Sequence, residues 1–206
     1  MTAIIDYRAG NLTSVRNAFA SIGAEATVTS DPAVIAAASR VIFPGVGAAK
    51  SAMRSLAELG LVDAVREAAA EKPFLGICLG MQILLTHTEE DDGVDTLGIL
   101  PGRVRRFPDV PGFKVPEMGW NQVKGNDPLG LLKPEEYFYF VHSYYVEMNP
   151  AAVGRTEYAG ITFASAVRRG NLFATQFHPE KSGSAGLALL KEFLRTTSDA
   201  EGGCTC

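Results

Sequence analysis

The chain has 206 residues, 47% of them hydrophobic and 20% charged, enough apolar material for one sizeable core, and no Pro/Gly/Ser linker marks a second domain. The formal net charge is −4 with no Lys/Arg block, so the electrostatic footprint of a nucleic-acid binder is missing, and the apolar stretches are too short to span a bilayer. The opening MTAIIDY lacks a basic segment followed by an apolar one. The expectation is therefore a cytoplasmic protein without a secretory signal.

In chain order, residues 3–6 form an apolar run suited to a buried strand. Residues 11–22 follow, with Leu12, Val15, Phe19 and Ile22 at helical spacing and Gly23 in the position of a C-terminal cap. Residues 25–29 read as a strand. Asp31-Pro32 opens a short helix, Asp as N-cap and Pro in the first turn. A strand over 40–43 ends at Pro44-Gly45. Helices are expected over about 48–56 and 62–71, a strand over 74–77 and a helix over 81–87. Strands alternating with helices predict an α/β fold, an open, mostly parallel sheet with helices on both faces. From Gly98 to Gln176 the pattern turns β, with expected strands over 103–107, 120–124, 137–141, 144–147, 162–168 and 172–176. Arg169-Gly170-Asn171 reads as the turn of a hairpin. An amphipathic helix over 186–194 closes the chain, and the simplest architecture is an α/β core with an antiparallel β extension.

Three cysteines are present. Cys204 and Cys206 lie in a polar tail, residues 198–206, which reads as disordered, leaving 1–197 as the folded domain. An odd count argues against a disulfide framework. Cys78 is different. The apolar run Phe74-Leu75-Gly76-Ile77 leads into Cys78-Leu79-Gly80-Met81-Gln82, a Gly-x-Cys-x-Gly pentapeptide between a strand and a helical pattern. This is the thiol form of a nucleophile elbow. A tight strand-to-helix turn projects the side chain from the sheet, and the flanking glycines let the backbone pass without Cβ clashes. A helix N-terminus favours thiolate, and the Leu79 N–H would face a developing oxyanion. The competing reading is a buried cysteine acting as a small hydrophobe.

A thiol nucleophile needs an imidazole and a carboxylate to orient it. Of the three histidines, His178 stands at the end of a β-run in Phe177-His178-Pro179-Glu180, so one turn can supply both partners. His87 is expected to cap the end of the elbow helix. His142 has no carboxylate following closely and is the weaker base candidate, though not excluded.

The elbow from Gly76 to Gln82, together with His178-Pro179-Glu180, resembles the class I glutamine amidotransferases. Asp6-Tyr7, Gly10-Asn11-Leu12, Ser14-Val15, Pro44-Gly45-Val46-Gly47, Met118-Gly119-Trp120-Asn121 and Phe140-Val141-His142-Ser143-Tyr144 resemble, more narrowly, the glutaminase subunits of imidazole glycerol phosphate synthase. The resemblance runs from near residue 4 to near residue 195. It implies a flavodoxin-like fold and hydrolysis of glutamine to glutamate and ammonia through a γ-glutamyl thioester on Cys78. His178 would be base and then acid, oriented by Glu180. Leu79 and Val46 would supply oxyanion donors, and Gly47, Gln82, Ser143 and Tyr144 would hold glutamine. No metal or organic cofactor is required. The implied partner is a cyclase subunit with a (β/α)8 barrel, forming a heterodimer in histidine biosynthesis, with Asn11, Trp120, Tyr139 and Lys181 near the interface.

Two positions depart from the pattern. Arg8 stands where the family has Gly, which suggests an altered backbone or an added interface charge, and Glu117 stands where it has His. The rivals are a glutaminase serving pyridoxal phosphate, anthranilate or guanylate synthesis, and a non-catalytic interaction protein of the same fold. Leu79-Gly80-Met81-Gln82 and the Trp120 segment speak against the former, and the intact Cys78, His178 and Glu180 against the latter.

Overall fold

The computed structural model describes residues 1–196. In chain order the elements are β1 (Thr2–Ile5), α1 (Leu12–Ser21), β2 (Ala26–Thr29), α2 (Pro32–Ala37), β3 (Arg40–Gly45), α3 (Ala49–Glu58), α4 (Val62–Glu71), β4 (Phe74–Cys78) and α5 (Leu79–Gln82). There follow β5 (His87–Thr88), β6 (Val94–Asp95), β7 (Arg103–Arg106), β8 (Glu117–Gly125), β9 (Glu135–His142), β10 (Tyr144–Val146), β11 (Ala152–Tyr158), β12 (Ile161–Arg169), β13 (Leu172–Thr175) and α6 (Gly183–Arg195). The strands β2-β1-β3-β4-β13 are parallel neighbours in that order. At β13 the sheet turns antiparallel through β12 to β10 and β7, and β11, β8 and β9 extend from β12 as a second antiparallel branch. This is the expected open parallel sheet with antiparallel strands added.

The two-residue period of the central strands builds two cores. Ala3, Ile5, Val41, Phe43, Phe74 and Ala174 face one side, where Ile35, Leu56 and Val65 from α2, α3 and α4 cover them. Ile4, Ile42, Leu75, Ile77 and Phe173 face the other, under Val15 and Phe19 of α1 and Leu189, Leu190 and Phe193 of α6. Burial on both faces explains why these strands read as continuous apolar runs. Each fully buried large side chain contributes about 1.5–3 kcal/mol. Asp31 caps α2 through Ala33 N, with Pro32 at the first position, as the sequence predicts. The 169–171 turn joins β12 and β13, with Arg169 opposite Leu172.

Three expectations fail. The helix predicted over 81–87 is the single turn α5. The carbonyls of Ile83, Leu84 and Leu85 accept from Leu97, Leu100 and Gly98 N–H instead of from the next helical turn, which pulls the chain into an irregular buried path. His87 consequently caps no helix. It lies in β5, with Nδ1 2.9 Å from Asp95 Oδ1. Finally, β11 stands outside the expected strands, because Gly154 and the charges Arg155 and Glu157 mask its alternation. The tail readings on 198–206, including Cys204 and Cys206, lie outside the described residues. Among the described residues no helix is long and apolar enough to cross a membrane.

Candidate functional site

Cys78 ends β4 and stands immediately before α5 with φ +56° and ψ −112°. An L residue in this region costs of order 1–3 kcal/mol and persists only when its surroundings hold it. They do. Cys78 lies opposite Gly45 in the β3–β4 ladder. Gly80 packs so closely on β3 that an added Cβ would lie 1.9 Å from the Phe43 carbonyl oxygen. The elbow is therefore clamped from below, and its sulfur is carried to the carboxyl end of the parallel strands, where open α/β sheets place their ligands.

His178 arrives at the same end from β13. Phe177 is stacked on Phe138, with ring centroids 4.0 Å apart. The His178 N–H donates to the Tyr139 carbonyl (2.9 Å), and Ser182 Oγ donates to the His178 carbonyl (2.6 Å). The imidazole is almost wholly buried, and its Nδ1 lies 2.8 Å from Glu180 Oε1, in the short turn that Pro179 begins. Burial disfavours the imidazolium, but the Cys78 sulfur and then Glu180 more than offset it, so His178 is pushed up to about 10. His178 Nε2 makes no aligned hydrogen bond within the protein.

A cavity of about 410 Å³ opens here, lined by Val46, Gly47, Cys78, Leu79, Gln82, Ser143, Tyr144, His178 and Lys181. The fold thus gathers all the expected substrate-site residues around the sulfur, with Glu180 behind His178. Gln82 is already engaged: its Nε2 donates to the Tyr144 carbonyl (2.8 Å) and to Gln176 Oε1 (3.0 Å).

Two further lining residues bear on the site: Glu90, not singled out from the sequence, and His142, the weaker base candidate. Glu90 sits in the acidic run Glu89–Asp92, yet it lines the cavity and accepts from Ala49 N at 2.6 Å. Burial is the main cause that raises its pKa, and the Ala49 N–H opposes it. His142 also lines the cavity and does have a carboxylate partner. Its Nε2 is 3.1 Å from Glu117 Oε2, and both side chains are buried. No carboxylate follows His142 closely in the chain; Glu117 precedes it and reaches it only across the β8–β9 ladder.

The expected interface residues are scattered in role. Trp120 is 57% exposed on β8, beside exposed Met118 and Tyr137. Tyr139 is half-buried, its ring 6.3 Å from that of Trp120. Lys181 is exposed at the cavity rim. Asn11 caps α1, its side chain accepting from Ser14 N. Arg8 adopts φ +65°, the left-handed backbone the family glycine would suit, and pairs with Glu58 on the surface. Among the described residues no cluster of three or more His, Cys, Asp or Glu could hold a metal ion.

The chain matches the model of the family "Glutamine amidotransferase class-I" over residues 3–197. It is 49% identical to a protein of Acinetobacter baylyi, covering 93% of this chain and 96% of that one, named "Imidazole glycerol phosphate synthase subunit HisH". It is 53% identical to a protein of the same name from Methylococcus capsulatus, covering 94% and 95%. Among solved structures, one described as "Crystal structure of glutamine amidotransferase" superposes with a TM-score of 0.72 at 20% identity, covering 94% and 97% of the two chains, a likeness of fold.

Proposed function

We infer function from one premise: the chain belongs to the class I glutamine amidotransferase family, across residues 3–197. It is the glutaminase subunit of imidazole glycerol phosphate synthase, acting in histidine biosynthesis and working with another subunit of that enzyme.

In the mechanism we propose, Cys78 Sγ attacks the γ-carboxamide carbon of glutamine, with its proton held on His178. The oxyanion is met by the Leu79 N–H and, as second donor, that of Val46. Collapse expels ammonia, which takes its proton from His178, and leaves a γ-glutamyl thioester. Water, deprotonated by His178, then cleaves the thioester to glutamate and restores the thiolate. Glu180 keeps the imidazole oriented throughout. Gly47, Gln82, Ser143 and Tyr144 hold the substrate, and the Glu90 carboxylate suits its α-ammonium group. The single observation that carries this reading is that His178, gripped through Nδ1 by Glu180, reaches the very cavity into which Cys78 opens.

The partner, in this proposal, is a cyclase subunit with a (β/α)8 barrel, in the cytoplasm. Ammonia passes to it across a face near Asn11, Trp120, Tyr139 and Lys181. Exposed Met118, Trp120 and Tyr137 on adjacent strands support such a contact. The test is co-purification with the cyclase, followed by glutamine hydrolysis with and without the cyclase's nucleotide substrate. The isolated chain should be a poor glutaminase, and Cys78→Ala should abolish turnover while partner binding survives. Retained glutamine-dependent turnover in that variant rejects the nucleophile.

A further inference from the structure

Gln176 follows β13 directly and is completely buried beside the elbow. Its side-chain Nε2 lies 3.8 Å from Cys78 Sγ, within reach of an N–H···S contact. Which end of the amide faces the sulfur can be worked out from its neighbours. The Tyr144 backbone carbonyl can only accept, so Gln82 must present its NH2 group there. The second hydrogen of that same NH2 group points at Gln176, which must answer with its oxygen. The Gln176 NH2 is then turned to the sulfur.

The anchor of this chain is held from the other side. His142 Nδ1 is 2.7 Å from the same Tyr144 carbonyl and therefore carries a hydrogen. Its Nε2 lies 3.1 Å from Glu117 Oε2, both atoms buried and without an aligned hydrogen bond. Glu117 Oε1 in turn accepts from Asn121 Nδ2 at 2.8 Å. A line of polar groups thus runs from β8, whose Met118 and Trp120 are exposed, through His142, the Tyr144 carbonyl and Gln82 to Gln176.

We propose that Gln176 is a further catalytic residue, whose side-chain N–H donates to the Cys78 sulfur and favours its anionic form, and that Gln82 and the Glu117–His142 pair are positioning residues that fix its orientation. The proposal rests on the reading of Cys78 as nucleophile. A donor to a charged acceptor in a buried site stabilises the charge about twice as strongly as a neutral contact. An amide does not titrate, so this support persists when His178 gives its proton to the departing ammonia. It also steadies the sulfur as the leaving group when water cleaves the thioester.

The test uses the full chain and two variants. Gln176→Met keeps the length and removes the donor, whereas Gln176→Glu keeps the shape and sets an acceptor against the sulfur. The rate of Cys78 alkylation by iodoacetamide is followed against pH, read by mass on the peptide that contains Cys78 so that Cys204 and Cys206 do not contribute. The other titratable groups facing the sulfur's surroundings are His178, His142, Glu90, Tyr144, Lys181 and Tyr7, and neither variant alters them. The profile should move to higher pH by about one unit in Gln176→Met and further in Gln176→Glu, with alkylation near pH 7 slowed about tenfold. In the complex with the cyclase, kcat should fall with KM little changed. A Gln176→Glu profile that superposes on the wild type overturns the proposal, whatever happens to thermal stability, and leaves Gln176 a packing amide. A wild-type Cys78 that reacts only over the range of an ordinary thiol instead sinks the nucleophile reading, and this proposal with it.

Discussion

His178 Nδ1 and Glu180 Oε1 lie 2.8 Å apart, and their side chains are only 2% and 1% exposed. Shielding of this degree leaves the carboxylate little exposed to water, so it holds a hydrogen on Nδ1 whether the imidazole is charged or has given its other proton away. Glu180→Gln keeps the shape and loses the charge. It should lower kcat for glutamine hydrolysis by about 10²–10⁴-fold, with a small change in KM, measured in the assembled enzyme. A loss confined to KM would make Glu180 a substrate contact rather than an orienting group.

The high pKa of His178 gives a second prediction. Burial lowers it, and the charge and hydrogen bonding of Cys78, then Glu180, raise it to about 10. The resting site should therefore hold an imidazolium at pH 8, visible in the nitrogen-15 NMR shifts of His178. Cys78→Ala removes the leading causes that raise the pKa and leaves the cost of burial in place, so the sign of the change is downward. In that variant the imidazole should lose its proton at distinctly lower pH. An unchanged titration would show that the sulfur does not act on the ring.

Gly80 offers a stability test tied to the elbow. A methyl group there would stand 1.9 Å from the Phe43 carbonyl oxygen, a collision with backbone rather than with a side chain that can swing aside. Gly80→Ala should destabilise the chain by about 1–3 kcal/mol in urea unfolding and displace Cys78 enough to lower turnover. Wild-type stability in this variant would contradict the close packing of α5 on β3.

Trp120 tests the docking face. It is 57% exposed and packs loosely edge-on to Tyr139, so the folded chain gains little from it. Trp120→Ala should leave the melting transition of the isolated chain near that of the wild type. Affinity for the cyclase should fall by about 30-fold, the scale of an aromatic hot spot of roughly 2 kcal/mol. Unaltered affinity, measured by calorimetry, would move the contact elsewhere.

Much of the core was legible because its cause is local. The apolar runs around Ile4, Ile42, Leu75 and Phe173 announce strands buried on both faces, and Asp31-Pro32 announces a helix start. The elbow could be read from Gly76, Cys78 and Gly80 because a tight turn beneath a nucleophile demands small neighbours at fixed spacing. The helix expected to reach His87 was not correctly readable. Met81 to Leu85 are all buried, with no exposed helix face, and the segment around Leu97 to Leu100 captures the carbonyls that a helix would use.

Local residue chemistry, then, determined the parallel centre, the projecting thiol, and the imidazole that shares one turn with its acid. Tertiary structure alone decided the rest. Strand register sets Glu117 opposite His142, and the pairing of Thr175 with Ile77 carries the next residues, Gln176 and Cys78, to one place. Such pairings join segments far apart in the chain. Their energy comes from excluding water around both partners at once, which no stretch of sequence records by itself.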